Sequence, residues 1–175
     1  MGNFAEKIAE SVKDRLLAVN QDVSNALVWQ TARHASSPFI GATTNKHGDI
    51  TGTNNPYTIF TVTGDIVILG FWGVVNTSLT GASGTIEVGV TGNTASIIAQ
   101  ETATEVDAGG ILVSATQAVG VAAAVGSGAP IAFNNGLDII ETVATTDIAA
   151  GQIDYYVIWA PVEPGASLVS AAAIA

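Results

Sequence analysis

Residues 66–75 read Ile-Val-Ile-Leu-Gly-Phe-Trp-Gly-Val-Val, with large apolar side chains at odd and even positions alike. A strand points successive side chains to opposite faces, so this one is apolar on both. Simple alternation assigns Ile66, Ile68, Trp72 and Val74 to one face, and Val67, Leu69, Phe71 and Val75 to the other. An antiparallel sheet usually leaves one face to water. A strand of this kind therefore needs cover on its second side from another sheet, an arm or another subunit. The surrounding residues 57–100 are dense in β-branched and aromatic side chains, as antiparallel strands are. Thr63-Gly64-Asp65 and Gly92-Asn93 mark turns, because Gly, Asn and Asp accept positive φ. Alternation is strict at 86–90, where Ile86, Val88 and Val90 face one way and Glu87 and Gly89 the other.

Further strands are expected at 103–106, 111–115, 131–133, 137–143 and 153–162, the last apolar on both faces and ended by Pro161 and Pro164. Residues 115–130, rich in Ala, Gly, Val and Ser, suit a long loop or a weak edge strand. Ahead of the strands, Phe4, Ile8, Val12, Leu16, Val19, Val23 and Leu27 recur at intervals of four and three. That stripe predicts an amphipathic helix over 3–28, capped by Asn3 with Glu6 as the reciprocal partner and with Asn20-Gln21-Asp22 as a point where it can break in two. It packs on its own domain or, as an arm, on a neighbouring subunit. Residues 29–56 are irregular and polar, and read as an extended arm laid over a surface, with Trp29, Phe39 and Ile40 as its anchors. Many short strands with no helix among them fit a sandwich, not βαβ units. The expected class is mainly β, an antiparallel β-sandwich or jelly roll over 57–165. An N-terminal amphipathic helix and extended arm (1–56) precede it, and an apolar tail (166–175) follows.

Charge narrows the function. Charged residues make up 11 % of the chain, against about 25 % in an average soluble domain. So little charge on a small chain suits a surface that faces other protein. All five basic residues, Lys7, Lys13, Arg15, Arg33 and Lys46, fall in the first 46 positions, while most of the 15 acids lie beyond them. Nucleic acid and anionic membrane surfaces are bound by cations, so neither is expected as a partner. No uncharged stretch has the roughly 18 consecutive apolar residues of a membrane helix. The first twenty residues mix charges into the apolar positions, unlike a signal peptide. With no cysteine, thiol chemistry and thiolate metal sites are excluded.

A reactive constellation is hard to find. His34 and His47 both sit in the arm, lack a third ligand at a recognisable spacing, and read as solvated or hydrogen-bonded arm histidines. Gly81-Ala-Ser83-Gly begins like a nucleophile elbow, but Thr85 replaces the second Gly. Gly126-Ser-Gly-Ala-Pro lacks the Lys of a phosphate loop. Glu101, Glu105 and Asp107 form the densest carboxylate group. They lack calcium-loop spacing and read as solvated strand-edge charges, with calcium the sharper alternative. No catalytic, cofactor-binding or metal-ligating residue is assigned, and no enzyme is expected.

Phe60-Thr-Val-Thr-Gly-Asp-Ile, Thr85-Ile-Glu-Val-Gly-Val-Thr-Gly-Asn-Thr-Ala-Ser-Ile-Ile-Ala-Gln and Ile153-Asp-Tyr-Tyr-Val-Ile-Trp-Ala-Pro-Val give residues 60–165 a likeness in pattern and wording. In these segments the chain resembles the capsid cement or decoration proteins of tailed bacteriophages. The resemblance implies a jelly-roll-like sandwich, a homotrimer, and a seat on the capsid surface beside the major capsid protein, with no catalytic residues to carry over. On that expectation Trp29, Arg33, Phe39, Ile40 and Lys46 are the arm residues that reach a partner. Phe71, Trp72, Tyr155, Tyr156 and Trp159 form core or an oligomer interface. The alternative is a phage tail or head-fibre sandwich that binds host-surface carbohydrate, with Trp72, Tyr155, Tyr156 and Trp159 as a stacking platform.

Overall fold

The computed structural model describes residues 30–35, 38–113, 118–119, 131–133 and 137–172. The helix expected over 3–28, the anchor Trp29 and most of the stretch 115–130 lie outside the described residues. The described strands are β1 (Gln30–Ala35), β2 (Tyr57–Thr63), β3 (Ile66–Thr80), β4 (Thr85–Val90), β5 (Asn93–Thr102) and β6 (Gly110–Leu112). They continue with β7 (Ala118–Val119), β8 (Ile131–Phe133), β9 (Ile139–Ala144), β10 (Ala150–Pro161) and β11 (Ser167–Ser170). Sheet A has the order β1-β10-β3-β6-β7, with β8 also on β3, and sheet B the order β11-β2-β9-β4-β5. All pairings are antiparallel. The expected mainly β, antiparallel sandwich is what the chain forms.

The chain crosses between sheets at most of its links, which puts both inner faces into one core. Ile59, Phe60, Ile86, Val88 and Ile139 from sheet B meet Ile66, Phe71, Ile153, Tyr155 and Val157 from sheet A. The turn after β2 uses Gly64 at φ +70, and the β4–β5 hairpin uses Gly92 at φ +88, both at positions the turn signals marked.

Four expectations change. Simple alternation along β3 fails, because the pairing with β10 jumps from Ile158↔Gly70 to Trp159↔Ile68 and leaves Leu69 as an inserted residue. Such a bulge reverses the parity of everything after it. Ile66, Ile68, Phe71 and Val75 are buried, while Val67, Leu69, Trp72 and Val74 are half-buried on the other side. Residues 103–106 form no strand. Ala103–Glu105 is a single 3-10 turn, held by Ala103 N–H donating to the Gly84 carbonyl and Leu79 N–H donating to that of Val106.

The domain limits also move. Residues 30–35 belong to the body as β1, the edge strand of sheet A, paired along its whole length with β10. Residues 167–170 are no loose tail but β11, the edge of sheet B on β2. Both strands satisfy backbone edges that would otherwise stay unpaired.

Between β1 and β2 the arm is a spiral of turns. Thr43, Lys46, Asp49, Gly52 and Asn55 each donate their N–H to the carbonyl three residues back, at 2.9–3.3 Å. Sandwich loops anchor it. Phe39 N–H donates to Gly151, Gly41 N–H to Ile148, and Ile148 N–H back to Gly48. A Cβ on Gly41 would collide with the Gly48 backbone, and Gly48 itself sits at φ +97, so this crossing requires glycine at both places. The Asn55 side chain completes the attachment, donating to the Val143 carbonyl at 2.8 Å and accepting from its N–H at 3.0 Å.

Candidate functional site

The groups with chemical potential converge where the arm enters the core. Glu141 follows Ile139 and Ile140 on β9, and its register opposite Tyr57 and Val88 turns it inward. A carboxylate there is costly unless both oxygens are satisfied. They are: His47 Nε2 lies 2.5 Å from Oε1, and the Tyr155 hydroxyl donates to Oε2 at 2.5 Å. His47 comes from the arm and Tyr155 from sheet A, so Glu141 ties three parts of the chain together. Phe39 stacks on the His47 ring with centroids 3.9 Å apart.

A second histidine continues the cluster. His34, inward on β1, lies 2.9 Å through Nε2 from the Tyr57 hydroxyl and 2.7 Å through Nδ1 from Ser170 Oγ. A neutral imidazole has one donor and one acceptor, and the two hydroxyls match either tautomer. The Tyr57 ring bridges the histidines, with centroids 5.6 Å from His34 and 4.5 Å from His47. His34 therefore joins the edge of sheet A to β2 and β11 of sheet B, while Glu141 and Tyr155 join the two sheets at their centre.

Burial sets the electrostatics. It pushes His34 below the ordinary imidazole range; Glu141 and Asp154 pull it back in part, and His47 pushes it further down. Tyr155 is raised well above the usual phenol range by its own burial first, then by the Glu141 charge and hydrogen bond. The lowered His34 favours the neutral ring, which the two hydroxyls accommodate, and the protonated Tyr155 is the donor that its contact with Glu141 requires. His34, His47, Glu141 and Tyr155 are each at most 2 % exposed. A cleft of about 260 Å³ opens beside Thr53, Asn54, Thr58 and Ala171, and Tyr57 is the one member of the cluster that lines it. Placed this way, the cluster is suited to holding the arm and both sheets in register, not to meeting a substrate.

The arm residues singled out in the sequence divide. Phe39 is 1 % exposed in the core beneath His47, so the chain itself consumes this anchor and it offers nothing to a partner. Ile40 is 44 % exposed and Lys46 half-buried, both on the spiral of turns. Arg33 lies on the outer side of sheet A, paired with Asp154 and over the Tyr156 ring. The Asp154 partnership raises its already high pKa further.

The aromatic set divides too. Phe71, Tyr155 and Trp159 are core, whereas Trp72 and Tyr156 stack on the outer side of sheet A, 5.4 Å apart and 8° from parallel. A platform of all four aromatics is therefore not formed, because Tyr155 and Trp159 point inward. Glu101 is raised by partial burial and then by Glu105, while Glu105 and Asp107 are exposed. Among the described residues no group of three or more His, Cys, Asp or Glu is placed to hold a metal ion.

Sequence reasoning missed the cluster as a unit. It took both histidines as solvated or hydrogen-bonded arm residues, of which the structure shows the hydrogen-bonded form, and passed over Glu141 and Tyr57 as their partners. The available signal was an acid in the middle of the apolar strand Ile139-Ile-Glu-Thr-Val. No protein-family model matches the chain, and no curated protein or solved structure shows significant similarity to it.

Proposed function

We propose that this chain is a structural virion protein, a cement or decoration protein that binds the assembled capsid of a tailed bacteriophage and stabilises it. Its partners on this reading are the major capsid protein and copies of itself, a homotrimer being the state the resemblance implies. It would be made in the host cytoplasm and seated on the capsid surface. The observation that carries the reading is the use made of the histidines and Glu141. Groups that an enzyme would present to a substrate are enclosed and spent on pinning the arm to both sheets. The pinned spiral presents Ile40, Thr43, Thr44 and Asn45 outward, with Lys46 beside them as the last cation of the chain.

The mechanism is thermodynamic. A protein that binds only the assembled shell stabilises that state by RT ln(1 + [L]/Kd), about 2.7 kcal/mol per site at a hundredfold excess over Kd. Co-sedimentation with bare phage capsids tests the reading. The full chain is expected to pellet with shells and raise their melting temperature. Ile40→Asp with Lys46→Glu is expected to weaken attachment at least tenfold without loss of the circular dichroism spectrum. A chain that never pellets with shells of any expansion state would overturn the assignment.

A further inference from the structure

Val67, Leu69, Trp72 and Val74 of β3 and Tyr156 and Ile158 of β10 are half-buried on the side of sheet A that faces away from the core. Ile111 of β6, opposite Val74, extends the same surface. The sandwich does not need this apolar face, since both inner faces already fill one core. We propose that residues 3–28 of the same chain dock on it as an amphipathic helix, turning the two layers into three. The inference goes beyond the virion reading and does not depend on it.

Position, length, pattern and charge support this occupant. Residues 3–28 lead directly into β1, the edge strand of this same sheet, beside β10. The apolar stripe ends at Leu27 and β1 begins at Gln30, leaving Val28 and Trp29 as the connection. Helix-to-strand links of about 2–6 residues are common where a helix folds back onto its sheet. With Val28 in the connection, a helix over residues 3–27 has 25 residues and is about 38 Å long at 1.5 Å per residue. The 12 residues of β10 extend about 40 Å at 3.3 Å each. The helix is therefore long enough to lie along the β10–β3 pair.

An amphipathic helix carrying the stripe Phe4, Ile8, Val12, Leu16, Val19, Val23 and Leu27 needs an apolar surface to cover it, and this face is one. Residues 3–28 hold three cations (Lys7, Lys13, Arg15) against four acids (Glu6, Glu10, Asp14, Asp22), a near balance. The body of a second copy would instead bring a strongly acidic partner onto an acidic body. A tether also gives the segment an effective concentration in the millimolar range, which a free partner must exceed.

Photo-crosslinking of the full chain tests the proposal. Benzoylphenylalanine is placed at position 158 in one variant and at 74 in another, each checked for native circular dichroism. Each is irradiated as a mixture of light and ¹⁵N-labelled protein. The expected product in both is a crosslink to a peptide within 3–28 carrying the same isotope label, lost at least tenfold on Leu16→Asp. Mixed-label crosslinks would assign the face to a second copy and overturn the proposal. So would crosslinks elsewhere in the chain, or none from either position.

Discussion

Sheets A and B both contribute inner faces to the core, but their outer faces differ. On sheet A the outer side carries Val67, Leu69, Trp72, Val74, Tyr156 and Ile158, with Arg33 and Asp154 compensating each other at one edge. On sheet B it carries Thr58, Thr61, Thr63, Thr85, Glu87 and Thr142, with Ile140 and Val169 as apolar exceptions. Sheet B's outer side is mostly polar, as on a sheet with one wet side, while sheet A's is mostly apolar. Shared core packing explains both inner faces and says nothing about the outer ones. Something besides the sandwich must account for the apolar side of sheet A.

The two sheets are held in register by the buried cluster, and the largest expected effect comes from undoing that. Glu141→Ala should leave the Tyr155 hydroxyl and His47 Nε2 buried without their shared acceptor. The expected cost is about 3–5 kcal/mol, seen as a large drop in the urea midpoint. Tyr155→Phe removes one contact and should cost about 1–3 kcal/mol. If both variants unfold at the wild-type midpoint, the cluster does not join the sheets.

Matched substitutions on the two outer faces break or sharpen the contrast directly. Ile158→Glu on sheet A is expected to cost about 1–2 kcal/mol, below the value for a fully buried side chain because the site is half-open. Thr63→Glu on sheet B should stay within about 0.5 kcal/mol of the parent. Equal effects in chemical denaturation would mean that the two outer faces are alike in solution.

His34 links the edge of sheet A to sheet B, and its titration supplies a third test. In the unfolded chain the imidazole takes up a proton near pH 6.5, whereas the buried ring does so only at lower pH. Below about pH 6.5 the unfolded state therefore binds more protons, so stability should be full above that pH and fall as the pH drops through it. Urea midpoints measured from pH 7.5 to 5 should show this slope, flattened in His34→Gln. A midpoint constant over that range would contradict the buried neutral state.

The smallest effect is expected at Val169, 54 % exposed on edge strand β11 of sheet B and opposite Thr61. Val169→Thr should change stability by less than about 0.5 kcal/mol. A larger loss in thermal melts would show that sheet B also has a covered outer side.

Much of the architecture was legible from the sequence. The alternation at Ile86, Val88 and Val90, the turns at Gly64 and Gly92, and the two-faced apolar runs in β3 and β10 are local properties of a few consecutive residues. The backbone obeys them wherever it goes, so antiparallel strands and two sheets followed. What stayed hidden depends on residues far apart. The bulge at Leu69 exists only as a mismatch with Ile158 and Trp159, yet it decides that Trp72 faces outward and Phe71 inward. His47 meets Glu141 across 94 positions and His34 meets Ser170 across 136, because sheet crossings bring β1, β9, β11 and the arm to one place. Residue type determined that a buried carboxylate or imidazole would need partners; only the tertiary structure decided which ones, since no short-range preference encodes the register of one sheet on the other.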